Sequence, residues 1–354
     1  MKRKRLRELG VNIGNLETGK YNSITDVEGV LVGHKTIIDK DVASGLTVII
    51  PNNGELEGNH FPAGIFRFNG TGEFTGYNWI KETGTLVSPI IFTGSHLLGL
   101  AHRYLSIATR KINGLESFSI GLVGETWDGW LSDIEKTTIG YEDVEAAILN
   151  AKPGLTDEGT VGGGTGMICF EFKGGIGTSS RVVNCQCGEF IIGAIVQSNF
   201  GRREDLIVEG KKVGSILNES EVPLPWNTPE NDGSLLVTIA TNAPLTANQC
   251  ERVSKRASLA LGKLGAIGEE GSGDFFLTFS TGNSYSYDND EFNNIKMFPA
   301  GELDNIFQGA IESVVEAILN SITMAETIVG QKGRSVYELP LDKFKKIFDL
   351  TEHS

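Results

Sequence analysis

The chain has 354 residues, 40% of them hydrophobic and 21% charged, a globular make-up with ample length for a buried core, which excludes disorder as its dominant state. A net charge of −14 offers no cationic footprint for phosphate, so nucleic acid is not an expected partner. The longest apolar run, Phe190 to Val196, is far too short to span a membrane, and 45 glycines without a triplet period exclude collagen and imply tight turns and close backbone approaches.

The basic run Lys2, Arg3, Lys4 and Arg5 leads into no apolar stretch, so it reads as a solvated tail rather than a signal peptide. Short β-branched or aromatic runs predict strands at Leu46–Ile50, Ala63–Phe68, Leu86–Phe92, Phe118–Val123, Gly166–Phe172, Phe190–Gln197, Leu235–Ala240 and Asp274–Phe279. Several are apolar on both faces and must be covered on both sides. Helical spacing predicts helices at His96–Lys111, Tyr141–Ala151, Leu245–Leu264 and Ile306–Val329. The third opens with Thr246 and Gln249 in capping-box spacing and stops at Gly265. Runs of strands followed by helices fit stacked sheets with helices outside better than a doubly wound sheet.

One stretch differs. Glu219 to Gly233 reads ESEVPLPWNTPENDG, with three prolines and four acidic residues, and ends abruptly at the apolar run Leu235–Ala240. A loop of that length inside a compact domain is usually functional or disordered.

The four cysteines, Cys169, Cys185, Cys187 and Cys250, are expected to be reduced thiols in a cytoplasm. Cys185 and Cys187 would share one face of a strand, and no second pair or nearby histidine completes a zinc set. The five histidines stand in no HExxH setting, and no GxSxG elbow appears. GGGTG (162–166) and GGIGTSSR (174–181) lack the Lys-Ser/Thr of a phosphate loop and the dinucleotide fingerprint, so they read as tight turns beside strands. No metal or organic cofactor is expected.

A nucleophile without a histidine needs another base, and an N-terminal Ser, Thr or Cys can use its own α-amine, which titrates near pH 7.7–8. Internal cleavage after Gly would expose such a residue. Gly-Ser occurs before Ser95, Ser215, Ser234 and Ser272. Only Ser234 begins a buried strand directly after the long Pro-rich loop, where a break frees a loop end without cutting a sheet. NDGS (231–234) also reads as an ordinary Asp-Gly turn entering a strand, and these residues alone leave both readings open.

Eight strings resemble, in the same order, the L-aminopeptidase/D-esterase family, which includes the β-peptidyl aminopeptidases. They are RELG near Leu9, NSITDVEGVLVGH (22–34), NGTGEFTGYNWIKETG (69–84), GETWDGWLSD (124–133), VGGGTGM with GGIGTSSR (161–181), VQSNFGRR (196–203), DGSLLVTIATNAPL (232–245) and GSGDFFLTFST (271–281). The resemblance covers nearly the whole chain. It implies a single catalytic domain over residues 1–354, an α/β fold built as an α-β-β-α sandwich like that of N-terminal-nucleophile hydrolases but differently connected. It implies self-cleavage between Gly233 and Ser234, giving an α chain 1–233 and a β chain 234–354, with Ser234 as nucleophile. It further implies Asn199 as oxyanion donor, Ser272 and Asp274 as assisting groups, and Glu125 as the carboxylate that holds the substrate's free amine. Some relatives carry Glu at the position of Asp274, and some carry Tyr at the position of Trp127. An indole cannot relay a proton, so Trp127 is expected to be pocket wall.

The expected reaction is aminopeptidase or amidase chemistry on short peptides, amino-acid amides or esters, through an ester on Ser234. The expected assembly is a homotetramer of αβ units in the cytoplasm, with no membrane partner. An acyltransferase of the ornithine acetyltransferase type, which normally offers Thr as the new N-terminus, and a non-catalytic binding protein are the alternatives.

Overall fold

Period-two alternation along the strands builds two sheets, and the residues on each face say what covers it. The computed structural model describes residues 2–56, 58–112, 120–226, 233–286 and 292–349. The first sheet has four strands in the order β1 (Leu31–Asp39), β2 (Val42–Ile50), β4 (Ile90–Gly94) and β5 (Leu122–Thr126). The second runs β3 (Asn59–Gly70), β9 (Ser272–Ser280), β8 (Gly233–Thr241), β7 (Gly188–Asn199) and β6 (Gly175–Cys185), and the short strands Thr85–Leu86 and Tyr285–Ser286 extend it beside β3. Neighbours are antiparallel except β4–β5 and β8–β9, which are parallel.

Ile90, Phe92 and Leu122 of the first sheet pack against Ile195, Leu236 and Leu277 of the second, forming the core between the sheets. The alternate residues Ile91 and Val123 face the other way, onto helices α1 (Leu98–Ile112) and α2 (Tyr141–Leu149). On the far side of the second sheet, Val196, Leu235 and Val237 pack against α3 (Ala247–Ala257) and the long α4 (Leu303–Thr323). The result is the expected four-layer α-β-β-α sandwich. Central strands buried on both faces need apolar residues at nearly every position, and β8, reading SLLVTIAT after Gly233, supplies them.

Several readings of the sequence are corrected. GGIGTSSR is no turn: Gly175 to Arg181 lies in β6, paired along its length with β7. The run Leu86–Phe92 is broken by Pro89, so Leu86 pairs in the second sheet and Ile90 onward in the first. Gly166–Phe172 is not one strand. Phe170 and Glu171, both with positive φ, turn the chain between the paired fragments Ile168–Cys169 and Phe172–Lys173. Cys185 ends β6, while Cys187 stands in the turn before β7, so the two do not share a strand face. The helix around Leu245–Leu264 begins at the expected Thr246 capping box but divides into Ala247–Ala257 and Leu259–Lys263. Phe118, at the start of one expected strand, lies outside the described residues.

The basic N-terminus is half tail and half anchor. Lys2 and Lys4 are exposed, but Arg5 pairs with the buried Glu158 at 2.7 Å and Arg7 with Glu316 at 3.0 Å. Arg3 meets Glu338 at 3.1 Å. Beneath them Arg181, fully buried, gives its guanidinium protons to Glu312, Glu316, Ser179 and the carbonyls of Ile13 and Ser180. A desolvated guanidinium is tolerated because its donors are satisfied.

Candidate active site

Ser234 is the second residue of β8, 3% exposed, and stands between two strands that carry the other expected groups. On one side β7 places Asn199 directly across from it in antiparallel register. On the other, the parallel β9 pairs Gly233 with Ser272, Ser234 with Gly273 and Leu235 with Asp274. Residues 35 to 40 positions distant in sequence thus meet at one sheet end through strand pairing alone.

Asn199 is held at both ends of its amide. Its Oδ1 accepts from the Ile168 amide at 2.8 Å, and its Nδ2 donates to the Trp127 carbonyl at 3.0 Å. A side-chain amide has two N–H groups, so one remains for another acceptor. The Trp127 amide in turn donates to Ser234 Oγ at 3.4 Å, bringing the end of β5 in the first sheet to the start of β8 in the second.

Ser272 Oγ donates to Asp274 Oδ1 at 2.8 Å, and Asn69 Nδ2 donates to Asp274 Oδ2 at 2.9 Å. Burial pushes the Asp274 carboxyl up to about 6, with Ser272 and Asn69 opposing the shift. A Cβ on Gly233 would stand 3.3 Å from Ser272 Oγ and equally close to Phe200 Cβ, so the residue before Ser234 has little room for a side chain.

Glu125, at the end of β5, is 8% exposed. Its Oε1 accepts from the Glu73 amide at 2.8 Å and its Oε2 from the Ser95 hydroxyl. Burial raises its pKa above the ordinary carboxylate value, against those two donors. Gly72 lies between this carboxylate and the site: a Cβ there would be 3.0 Å from Glu125 Oε1 and 3.1 Å from the Cα of Gly273, the strand partner of Ser234. A cation reaching Glu125 would therefore sit at the same end of the sandwich as Ser234.

Trp127 lines a cavity of about 30 Å³ together with Trp130, Trp226, Asn199, Gly233 and Glu269. Trp130 and Trp226 meet edge to face, their ring centres 5.4 Å apart, and Trp226 donates its indole N–H to Glu171 at 2.9 Å. A broad hollow of about 810 Å³ lies by α3 and α4, and none of the residues expected at the site lines it. It is broad but carries no group beside a nucleophile, so chemistry outranks volume here.

Sequence reasoning missed three contributors: Asn69, Ser95 and Ile168. Ser95 was legible only as a helix-opening Gly-Ser serine, and Asn69 only as a member of one resembling string. Asp128 is buried, accepts from Ser44 Oγ at 2.5 Å, and is pushed by burial up to about 6. Among the described residues no group of three His, Cys, Asp or Glu could hold a metal ion, and no helix is long and apolar enough to cross a membrane. Asn231 and Asp232 of the NDGS string fall outside the described residues.

The chain is similar to known proteins over nearly its whole length. The β-peptidyl aminopeptidase BapA of Sphingosinicella xenopeptidilytica is 35% identical over 97% of this chain and 90% of its own. The β-aminopeptidase of Burkholderia sp. superposes with a TM-score of 0.92 at 38% identity, covering 99% of this chain and 100% of its own. The L-aminopeptidase D-Ala-esterase/amidase of Ochrobactrum anthropi, described as a prototype of the serine aminopeptidases with a variant of the N-terminal-nucleophile hydrolase fold, gives 0.91 at 35% identity over 98% and 99%. The model of peptidase family S58 matches residues 22–336, and with these relatives it shows that the chain belongs to that family and is an enzyme, a serine peptidase of the aminopeptidase class.

Proposed function

We propose that the chain cleaves itself between Gly233 and Ser234 and then removes the first residue of short peptides, amino-acid amides or esters through an ester on Ser234. The observation that carries this is the placement of Ser234 Oγ at the head of a buried strand, with Asn199 across one strand pair, Ser272 and Asp274 across the other, and the Trp127 amide at 3.4 Å.

In self-processing, Ser234 Oγ attacks the Gly233 carbonyl and the acyl group moves from nitrogen to oxygen. Water then hydrolyses that ester, leaving a Gly233 carboxylate and a free Ser234 amine. In turnover, the α-amine takes the hydroxyl proton as Oγ attacks the substrate's first amide carbonyl. The free N–H of Asn199 and nearby backbone amides bind the oxyanion, a donor of this kind being worth roughly 3–4 kcal/mol. The proton passes to the leaving amine, and water hydrolyses the acyl-enzyme. Glu125 binds the substrate's ammonium and so selects free amino termini. The activities for which the relatives are named make β-amino-acid peptides and D-alanine amides natural first substrates. A homotetramer of αβ units in the cytoplasm completes the proposal.

Intact-mass measurement tests it. Two pieces ending at Gly233 and beginning at Ser234 are expected from the wild type, and one uncut, inactive chain from Ser234→Ala. A Ser234→Ala protein that splits at the same bond would rule out processing by this serine.

A further inference from the structure

Lys173 has no part in the chemistry above, yet it is fully buried five residues after Ile168, whose amide holds Asn199. Its Nζ donates to three backbone carbonyls, those of Met167 and Gly174 at 2.8 Å and of Gly164 at 3.2 Å. Those three bonds use every proton of an ammonium. Burial draws its pKa down to about 7, with the neighbouring Cys169 opposing, and carbonyl acceptors favour the charged form. Core packing alone does not explain a cation here, because an apolar side chain of the same length would fill the space without the desolvation cost.

The three carbonyls have one thing in common. All three lie in or beside the glycine-rich turn 162–166, which has almost no side chains of its own: Gly164 inside it, Met167 directly after it, and Gly174 where the returning chain bonds back to Met167. Residues 162–166 read GGGTG, and side chains at Gly163 or Gly164 would collide with Gln197 and with the backbone of β6. Such a turn cannot be fixed by packing its own side chains. Lys173 fixes it from beneath, together with the Gly174 amide, which donates to the Met167 carbonyl at 2.9 Å. The next residue is Ile168, whose amide donates to Asn199 Oδ1 at 2.8 Å. That bond decides which end of the Asn199 amide is oxygen and which is the donor.

We propose that Lys173 is a positioning residue for the oxyanion site: by tying the carbonyls of Gly164, Met167 and Gly174 together it aims the Ile168 amide at Asn199 and so fixes the direction of the Asn199 donors. This rests on reading Asn199 as the oxyanion donor. A small misplacement of a catalytic donor can cost about 100-fold in rate.

A double-mutant cycle tests it, with steady-state hydrolysis of alanine p-nitroanilide by wild type, Lys173→Met, Asn199→Ala and the double variant. Lys173→Met keeps length and apolar fill but removes the three donors. It is expected to lower kcat by roughly 10- to 100-fold, with KM changed less than about threefold, and to change kcat less than about threefold when Asn199 is already alanine. A merely structural lysine would cost the same factor in both backgrounds, and that additive result overturns the role. Should Lys173→Met fail to fold, Ile168→Pro removes the amide at the other end of the path with Lys173 intact. The same loss of additivity with Asn199→Ala is expected, and additivity again overturns it. Ser234→Ala separates the two layers of the argument. Full activity in Ser234→Ala overturns the nucleophile assignment and this inference with it, whereas an additive cycle in a Ser234-dependent enzyme overturns only Lys173.

Discussion

Asn199 and Ser234 face each other across the β7–β8 ladder, the last residue of one strand against the second of the next. Because the ladder fixes their backbones, their relative position does not depend on a flexible loop. The Trp127 carbonyl and amide touch the two side chains in turn, so a single residue of the first sheet gauges the spacing of both. Substitutions that loosen the junction of the sheets should therefore lower kcat more than they raise KM.

The amine pocket gives the sharpest specificity test. Acetylating the amine of alanine p-nitroanilide is expected to cost roughly 2–5 kcal/mol of transition-state binding, since it leaves the Glu125 carboxylate unpaired. That is a factor of about 30 to several thousand. Glu125→Gln should flatten the preference while chain splitting continues, because self-processing involves no free amine at that pocket. Equal wild-type rates on the free and acetylated substrates would remove Glu125 from the site.

The pH profile should carry the signature of Asp274. Its ionised form accepts from both Ser272 and Asn69 in charge-assisted bonds that protonation weakens, so kcat/KM should fall as the pH drops through about 6. A separate step near the ordinary α-amine range, about 7.7–8, is expected from Ser234. Asp274→Asn should abolish the lower step and leave the upper one. The same group sets a stability trend. Its folded pKa lies above its unfolded value, so the native state takes up the proton first, and this residue's contribution becomes more favourable as pH falls from about 7 toward 4. Asp274→Asn should consequently melt higher than wild type at pH 8 while turning over more slowly; a lower melting temperature there would contradict the assigned burial cost.

Arg181 anchors the N-terminal segment through Glu312 and Glu316, with the Arg181 and Glu316 side chains fully buried. Removing one member of a buried pair strands the other charge, at roughly 3–5 kcal/mol. Arg181→Leu should lose that much in denaturant unfolding, and Glu316→Leu in the same chain should recover part of it. If the single variant unfolds within about 1 kcal/mol of wild type, the cluster contributes little.

Chelation is expected to leave hydrolysis unchanged, since every step of the proposed mechanism runs on the side chains and backbone of this protein. Activity lost in EDTA and restored by zinc or manganese would require a different mechanism.

The sequence by itself carried the class and much of the site. Apolar runs such as LLVTIA after Ser234 fit strands covered on both faces and favour stacked sheets with helices outside, and the family resemblance added the α-β-β-α order of the layers. Gly-Ser at the foot of a Pro-rich loop singled out Ser234, and the resembling strings supplied Asn199, Ser272, Asp274 and Glu125. What only the tertiary structure decided is which groups hold these residues in place. Ser95 supports Glu125 across 30 positions, Asn69 supports Asp274 across 205, and the Ile168 amide supports Asn199 across 31. No local period encodes such pairs, because they arise from strand register and sheet stacking. The glycine strings show the same division. GGGTG does turn, but GGIGTSSR became the end strand of the second sheet, because pairing with β7 along one edge and cover from α4 outweigh the weak strand preference of its glycines and serines. The arginines at the N-terminus read as solvated for the same reason: their acidic partners stand more than 150 residues away, and only the folded chain brings them within 3.1 Å.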